Sequence, residues 1–195
     1  MPRTTPSAAR ERVLDAASAA FYRHGIAAVG VDAVVAQAGV AKATLYRHFP
    51  SKDDLVVAFL RRRDLRWRAW LEEAVERLAP DPAGRPLAVF DALAEWFASE
   101  DFRGCAFINA ATEIADPAHP ARAVVEEHKR LLGEHLARLL RGAGAADPAA
   151  DAGALLLLVE GAIVSALIER DPSPAARARE AAARILARPQ TTEEP

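Results

Sequence analysis

Apolar residues recur along most of the chain at the three- and four-residue spacing of amphipathic helices. The first run puts its apolar residues on one helical face: Val13, Leu14, Ala17, Ala20 and Phe21. No stretch shows the alternation of apolar and polar residues that is typical of a half-buried strand. The pattern therefore predicts an all-α protein of about nine helices.

Capping residues and glycines predict where these helices begin and end. Ser7 is suited to cap the first helix, and Gly25 is suited to end it. Ser51 followed by Asp54 resembles a capping box at the start of a long fourth helix, predicted over about residues 52–78. Asp147 is placed to cap the eighth helix, which is apolar on almost every face. We expect residues 189–195 to form a disordered tail.

The formal net charge of −2 conceals a difference between the two ends of the chain. Residues 1–52 carry seven bases and three acids, a local charge of +4, whereas the remainder carries −6. A basic end on an acidic body indicates that the first third of the chain meets a polyanion.

Several protein classes are disfavoured by the composition. The most apolar stretch, Ala152 to Ile168, is interrupted by Glu160, which indicates a buried helix rather than a membrane span. The N-terminus lacks the apolar core of a signal peptide, so we expect a cytoplasmic protein. No P-loop, GxGxxG or GxSxG motif is present, and no metal-ligand spacing is found, so we expect neither an enzyme nor a cofactor or metal site.

The segment "GVAKATLYRHFPSK", which begins at Gly39, follows a short apolar helix and leads into a second one. Two short helices joined by a glycine turn form a helix-turn-helix, here at about residues 30–49, whose second helix enters the major groove of DNA. Leu45 and Phe49 are spaced to hold that helix against the first. The remaining surface and the start of the next helix supply the candidate DNA-binding residues: Lys42, Ala43, Thr44, Tyr46, Arg47, His48 and Lys52.

The order of residues in "VLDAASAAFYRHGIAAVGVDAVVAQAGVAKATLYRHFPSKDDLVVAF" resembles the DNA-binding domain of the TetR family of bacterial transcriptional regulators. The resemblance implies a three-helix DNA-binding domain at residues 7–67, joined by a long helix to an effector-binding and dimerisation domain at 68–188. Gly30, Asp32 and Val35 depart from the family pattern; at Asp32 the family often carries a phosphate-binding base.

The same resemblance implies a function and its partners. We expect a ligand-responsive repressor that binds a palindromic double-stranded DNA operator as a homodimer and is released by a small-molecule effector. The alternative is a DNA-binding dimer that senses no small molecule and is controlled by a protein partner. The effector, the operator and the regulated genes are not identified by the sequence.

Candidate residues for the effector pocket are aromatic or polar and lie on the predicted helices five to eight or in the loop after helix five: Trp96, Phe97, Phe102, Cys105, Phe107, Asn109, Glu113, His128 and Glu160. Two interpretations of Glu160 stay open, an arginine partner across an interface or a place in the pocket. Cys105 fits a small buried hydrophobic residue better than a redox sensor.

The eighth and ninth helices carry apolar and small residues that would allow close helix crossing between two subunits. The candidate dimer residues are Leu158, Gly161, Ala162, Ser165, Ala166, Ala178, Ala181, Ala182 and Ile185. The arginine-rich run "RRRDLRWR", from Arg61 to Arg68, fits a solvated or interdomain face better than a DNA grip, because it lies two or more turns into the fourth helix.

Overall fold

A computed structural model describes residues 7–187 of the chain, and these residues form nine α-helices with no β-strand. The helices are α1 (Ala8–His24), α2 (Val31–Ala38), α3 (Lys42–His48), α4 (Lys52–Leu78), α5 (Arg85–Phe97), α6 (Ala106–Glu113), α7 (Ala121–Gly142), α8 (Pro148–Glu169) and α9 (Pro174–Leu186). One turn of 3₁₀-helix, Pro82–Gly84, precedes α5. The predicted all-α class is confirmed, whereas the predicted tail at 189–195 lies outside the described residues.

The helix ends are fixed by local hydrogen bonds of the kind that the sequence predicts. The Ser7 hydroxyl accepts a hydrogen bond from the Arg10 amide at 3.2 Å at the start of α1. Before α4, the Ser51 amide donates to the Asp54 carboxylate and the Asp54 amide donates back to the Ser51 hydroxyl, both at 3.0 Å. Each cap satisfies amides that the helix itself leaves unpaired.

The chain divides into two compact units, and the divisions fall within α4, at the start of α6 and within α7. Of the described residues, the first unit combines 7–66 with Ala106–His128, and the second combines Trp67–Cys105 with 129–187. In the first unit α1, α2 and α3 pack together around buried apolar side chains: Val13, Ala17, Phe21, Val34, Leu45 and Phe49. The boundaries at 7–67 and 68–188 stay a prediction.

In the second unit α8 packs against α9 and α5, which also contact each other. Leu155, Val159 and Ile163 supply the buried face of α8. Among the described helices, α8 is the one with the length and composition to cross a membrane, a test that buried core helices also meet. Its buried face fits the prediction of a core helix.

Candidate nucleic-acid interface

The turn between α2 and α3 depends on Gly39, which adopts a left-handed conformation with φ of 63° and ψ of 41°. Its amide donates to the Ala36 carbonyl at 3.3 Å, and the Val40 amide donates to the Val35 carbonyl at 3.2 Å. Glycine takes this conformation without the steric penalty that a β-carbon brings. The backbone can therefore reverse sharply and present α3 as a separate helix.

Buried side chains fix α3 against α1 and α2. Leu45 on α3 and Val34 on α2 are fully buried, and Phe49, which follows α3, is almost so. The Arg10 guanidinium lies 5.1 Å from the centre of the Phe49 ring. Because these anchors use one side of α3, the opposite side remains at the surface.

The exposed side of α3 carries four of the seven predicted DNA-binding residues: Lys42, Ala43, Tyr46 and Arg47. Thr44 and His48 are half-buried, and His48 Nε2 lies 3.1 Å from the Ser7 hydroxyl. The surface thus combines two exposed cations, a phenol and the small side chain of Ala43, which would let the DNA backbone approach the helix closely. Such a mixture suits phosphate contacts together with contacts to base edges.

Lys42 is not isolated on this surface, because its Nζ lies 2.8 Å from the Asp32 carboxylate on α2. The hydrogen bond to Asp32, reinforced by the opposite charge, raises the pKa of the Lys42 ammonium. Lys42 therefore stays protonated, and its charge is partly offset by its neighbour.

Lys52, the seventh predicted residue, has a contact within the protein. Its Nζ donates to the Ile26 carbonyl at 2.7 Å and lies 6.0 Å from the centre of the Phe21 ring. These contacts tie the start of α4 to the loop between α1 and α2. The sequence indicated a cation at this helix start but gave no sign of this internal partner.

Residues after α5 also contact the DNA-binding helices within the first unit. The Glu113 carboxylate at the end of α6 accepts a hydrogen bond from the Ala27 amide at 2.7 Å. Gly25 has φ of 87°, and a β-carbon there would lie 3.1 Å from the Glu113 oxygens. His119 Nε2 lies 3.3 Å from the Asp53 carboxylate of α4. Glu113, predicted for the effector pocket, thus contacts the loop before α2.

A buried histidine and carboxylate join α7 to α4. His128 Nδ1 lies 2.7 Å from Asp64 Oδ1, and both residues are buried. The Phe107 ring of α6 stacks on the His128 imidazole with centres 3.6 Å apart and planes within 8°. Asp64 was missed from the sequence because it lies inside the arginine-rich run; an acid among five arginines was the available signal.

Two arginines of the arginine-rich run, Arg62 and Arg63, pack on α1. Arg62 donates to the Leu14 carbonyl and to the Ser18 hydroxyl, each at 2.6 Å, and to the Asp15 carboxylate at 2.8 Å. The Arg63 guanidinium lies 3.9 Å from the centre of the Tyr22 ring. Arg62 and Arg63 hold α4 to α1 within the first unit, whereas the sequence favoured a solvated or interdomain face for this run.

In the second unit, three of the predicted pocket residues belong to an aromatic cluster. Trp96 on α5 lies 5.6 Å from Trp67 and 6.1 Å from Trp70 between ring centres, and Phe102 lies 5.0 Å from both Trp96 and Phe97. The cluster holds all three tryptophans of the chain. The tryptophan emission of the protein therefore comes from this cluster.

Glu160, also predicted for the pocket, pairs with a lysine of the same chain. Lys129 Nζ lies 2.7 Å from the Glu160 carboxylate and 4.0 Å from the buried Cys105 sulfur. The partner of Glu160 is thus supplied by α7. The structure divides the predicted pocket residues between the units: Phe107, half-buried Asn109, Glu113 and His128 lie in the first, and Trp96, Phe97, Phe102, Cys105 and Glu160 lie in the second.

A polar cleft of about 190 Å³ in the second unit is lined by residues outside the predicted set: Glu72, Val75, Glu76, Arg85, His135, Arg138 and Leu139. Its volume is below the roughly 300–1,000 Å³ of sites for drug-sized ligands. His135 Nδ1 lies 3.1 Å from the Arg138 guanidinium, which can only donate. Burial, and then the charge of Arg138, lowers the pKa of His135, so the ring is neutral near pH 7.

The predicted dimer residues lie on two different faces of α8 and α9. Ala162, Ala166, Ala178 and Ala182 are buried within the single chain, whereas Leu158, Ser165, Ala181 and Ile185 are half-buried and Gly161 is exposed. The most exposed side of α8 carries Leu157, Gly161, Val164 and Ile168 at the spacing of one helical stripe. Leu157, Val164 and Ile168 were missed because a helix that is apolar all round shows no preferred face.

An exposed α3, held by a buried core and a left-handed glycine turn, defines a helix-turn-helix DNA-binding protein. Residues 13–59 match the family described as bacterial regulatory proteins, tetR family, and residues 82–182 match the tetracyclin repressor-like C-terminal domain. The chain belongs to the TetR family. It is a DNA-binding transcriptional regulator and not an enzyme.

Relatives and solved structures match over almost the whole chain. The structure of SCO4454, a TetR-family transcriptional regulator from Streptomyces coelicolor, is 36% identical with a TM-score of 0.83, covering 92% of this chain and 96% of that one. Regulatory protein TetR from Rhodobacter sphaeroides is 27% identical with a TM-score of 0.79, covering 91% and 98%. The HTH-type transcriptional regulator YjdC of Escherichia coli (strain K12) is 27% identical over 177 residues, 91% of this chain and 93% of the relative.

Proposed function

We propose that this regulator is a cytoplasmic, ligand-responsive repressor that binds a palindromic operator as a homodimer and is released by a small-molecule effector. The observation that carries the DNA-binding part is the exposed side of α3, where Lys42, Tyr46 and Arg47 lie at the surface of a three-helix unit with a buried apolar core. Recognition helices of a dimer reach successive major grooves when they are about 34–36 Å apart.

The homodimer is supported by the exposed apolar stripe of α8. Leu157 and Ile168 are 71% and 75% exposed in the single chain, which is unusual for two large apolar residues on one helical face. A second copy would bury this stripe against its own equivalent through a two-fold axis. This interface would hold the two copies of α3 in one complex.

The response to an effector is supported by the contacts that α6 and α7 make within the first unit. Glu113 is bonded to the loop before α2, and His128 is paired with Asp64 on α4. α7 contributes residues to both units. An effector that binds more tightly to one arrangement of α6 and α7 would shift the population of DNA-competent dimers by its difference in affinity.

The proposal is tested by titrating DNA fragments from upstream of the regulator gene and its neighbours in a gel-shift assay. Tyr46→Ala should weaken operator binding about two- to tenfold, the effect of one lost hydrogen bond. Arg47→Ala should lower the slope of log K against log salt by about 0.9. Arg77→Ala, which removes an exposed cation near the end of α4, is the charge-matched control and should bind as the wild type does.

The same fragments are then used to look for release by small apolar metabolites. A true effector should release the operator and change the tryptophan emission of the aromatic cluster, and Trp96→Phe should diminish the change. Unaltered binding by both α3 variants would contradict the DNA-binding assignment. Release only by a protein partner, with no small molecule acting, would favour the alternative of a regulator without an effector.

A further inference from the structure

The pair of Asp32 and Lys42 joins the two helices of the DNA-binding motif at their exposed starts. Asp32 is the second residue of α2, and Lys42 is the first residue of α3. The ammonium and carboxylate are 2.8 Å apart, and their side chains are 52% and 81% exposed. An ion pair as exposed as this contributes little to stability, because water and salt screen it.

The charge of the pair has a larger consequence for DNA binding than for folding. Lys42 and Arg47 are the two exposed cations of α3. Lys52, at the start of α4, is half-buried and donates to the Ile26 carbonyl. Asp32 therefore offsets one of the two. Affinity for any DNA sequence grows with the number of phosphates that are neutralised, so this offset lowers sequence-independent binding.

The pair leaves the hydrogen-bonding capacity of Lys42 largely intact. An ammonium has three N–H donors, and the contact with Asp32 occupies one of them. Lys42 is the first residue of α3, and the start of a recognition helix is the part that contacts base edges. A lysine paired with Asp32 thus keeps two donors at the start of α3 while its charge is partly offset.

We infer that Asp32 is a positioning residue that sets the specificity of DNA binding through Lys42. It pairs with the Lys42 ammonium at the start of α3 and reduces its action as a counterion to any phosphate, while two of its donors stay available to the operator. The inference rests on the proposed contact of α3 with DNA. It concerns how this chain separates operator from other DNA, which depends on the ratio of two affinities.

The test measures the affinity of Asp32→Asn for the operator and for a scrambled duplex of equal length, each over 0.05–0.2 M salt, roughly the range in which phosphate contacts dominate. For scrambled DNA the slope of log K against log salt should steepen by about 0.9, and the affinity at 0.10–0.15 M salt should rise about five- to eightfold. Operator affinity should rise less, so the ratio of operator to scrambled binding should fall. Asp32→Glu, which keeps the charge, should retain the wild-type slope.

Two controls separate a role through Lys42 from a general effect of charge. Glu73→Gln removes an exposed carboxylate of α4 in the second unit and should change neither slope nor ratio. In a Lys42→Ala background, Asp32→Asn should no longer steepen the slope. Circular dichroism before each titration verifies that the variants are folded; Asp32 is exposed, and asparagine has the same size.

An unchanged slope in Asp32→Asn would overturn the inference, as would an equal steepening in the Lys42→Ala background, which would mean that Asp32 only repels phosphate. An unchanged ratio would overturn the claim of specificity. Failure of the proposed function is recognised separately, because Tyr46→Ala and Arg47→Ala would then leave operator binding unaltered.

Discussion

Truncation of Leu157 tests whether the exposed stripe of α8 is the dimer interface. Full burial of a leucine side chain is worth about 1.5–3 kcal/mol. Because Leu157 is still 71% exposed in the single chain, about 1–2 kcal/mol remains to be gained when the stripe is covered. A two-fold interface contains the residue twice, so Leu157→Ala should weaken the dimer by about 2–4 kcal/mol, or roughly 30- to 1,000-fold in the dissociation constant.

Sedimentation equilibrium over a concentration series measures this constant directly. Leu65→Ala is the matched control, because Leu65 is the same residue type, is 64% exposed, and belongs to α4 of the first unit and not to α8. It should leave the dimer unchanged. Equal dissociation constants for the two variants would refute the assignment of the interface, and a wild-type mass of 20.9 kDa at micromolar concentration would refute the dimer.

Ala162 gives a second comparison on the same helix. Ala162 is only 5% exposed within the single chain, although the sequence suggested it for the interface. Ala162→Arg would force a charge into the packing of its own subunit, so we expect loss of helical signal rather than a folded monomer. The Leu157 variant should keep its circular dichroism and lose operator affinity as it dissociates.

Two further predictions concern stability. Gly25→Ala should destabilise the chain by about 1–3 kcal/mol in urea unfolding, because φ of 87° with ψ of 156° is nearly restricted to glycine and the new β-carbon would meet Glu113. The control Gly133→Ala, inside α7, should instead stabilise the chain by about 0.5–1 kcal/mol. Equal changes in the free energy of unfolding for the two variants would contradict the argument. Since the pKa of His135 is lowered in the folded protein, the unfolded state binds the extra proton first, and stability should fall as pH drops below about 6.5, by up to ~1.4 kcal/mol per pH unit from this residue. His135→Gln should lose less stability between pH 7 and pH 5, and an equal loss in both proteins would exclude the histidine as its source.

The α3 region was predictable because its information is local. Gly39, Leu45 and Phe49 lie within eleven residues, and each has a role that its type and spacing reveal. The caps at Ser7, Ser51 and Asp147 are similarly local, since a cap bonds an amide two or three residues away. The structure adds partners to two cations of the candidate DNA surface: Asp32 for Lys42, and the Ile26 carbonyl, 26 residues away, for Lys52.

The partners of charged residues in the body of the protein were not predictable in this way. Glu113 meets Ala27 across 86 residues, and Asp64 meets His128 across 64. Periodicity assigns a residue to a face of its own helix, but it carries no information on which other helix will cover that face. The predicted pocket residues consequently fall into two compact units.

The sequence by itself determined the helical class, the helix ends and the glycine-turned motif, because these depend on hydrogen bonds and steric limits within a few residues. Only the tertiary structure decided which side of α8 is free, since a helix with apolar residues all round gives no preferred direction until α9 and α5 have covered one face. It also decided that the exposed Lys42 is paired with Asp32. That contact depends on the crossing of α2 and α3, which is set by the packing of Val34 and Leu45 in the core.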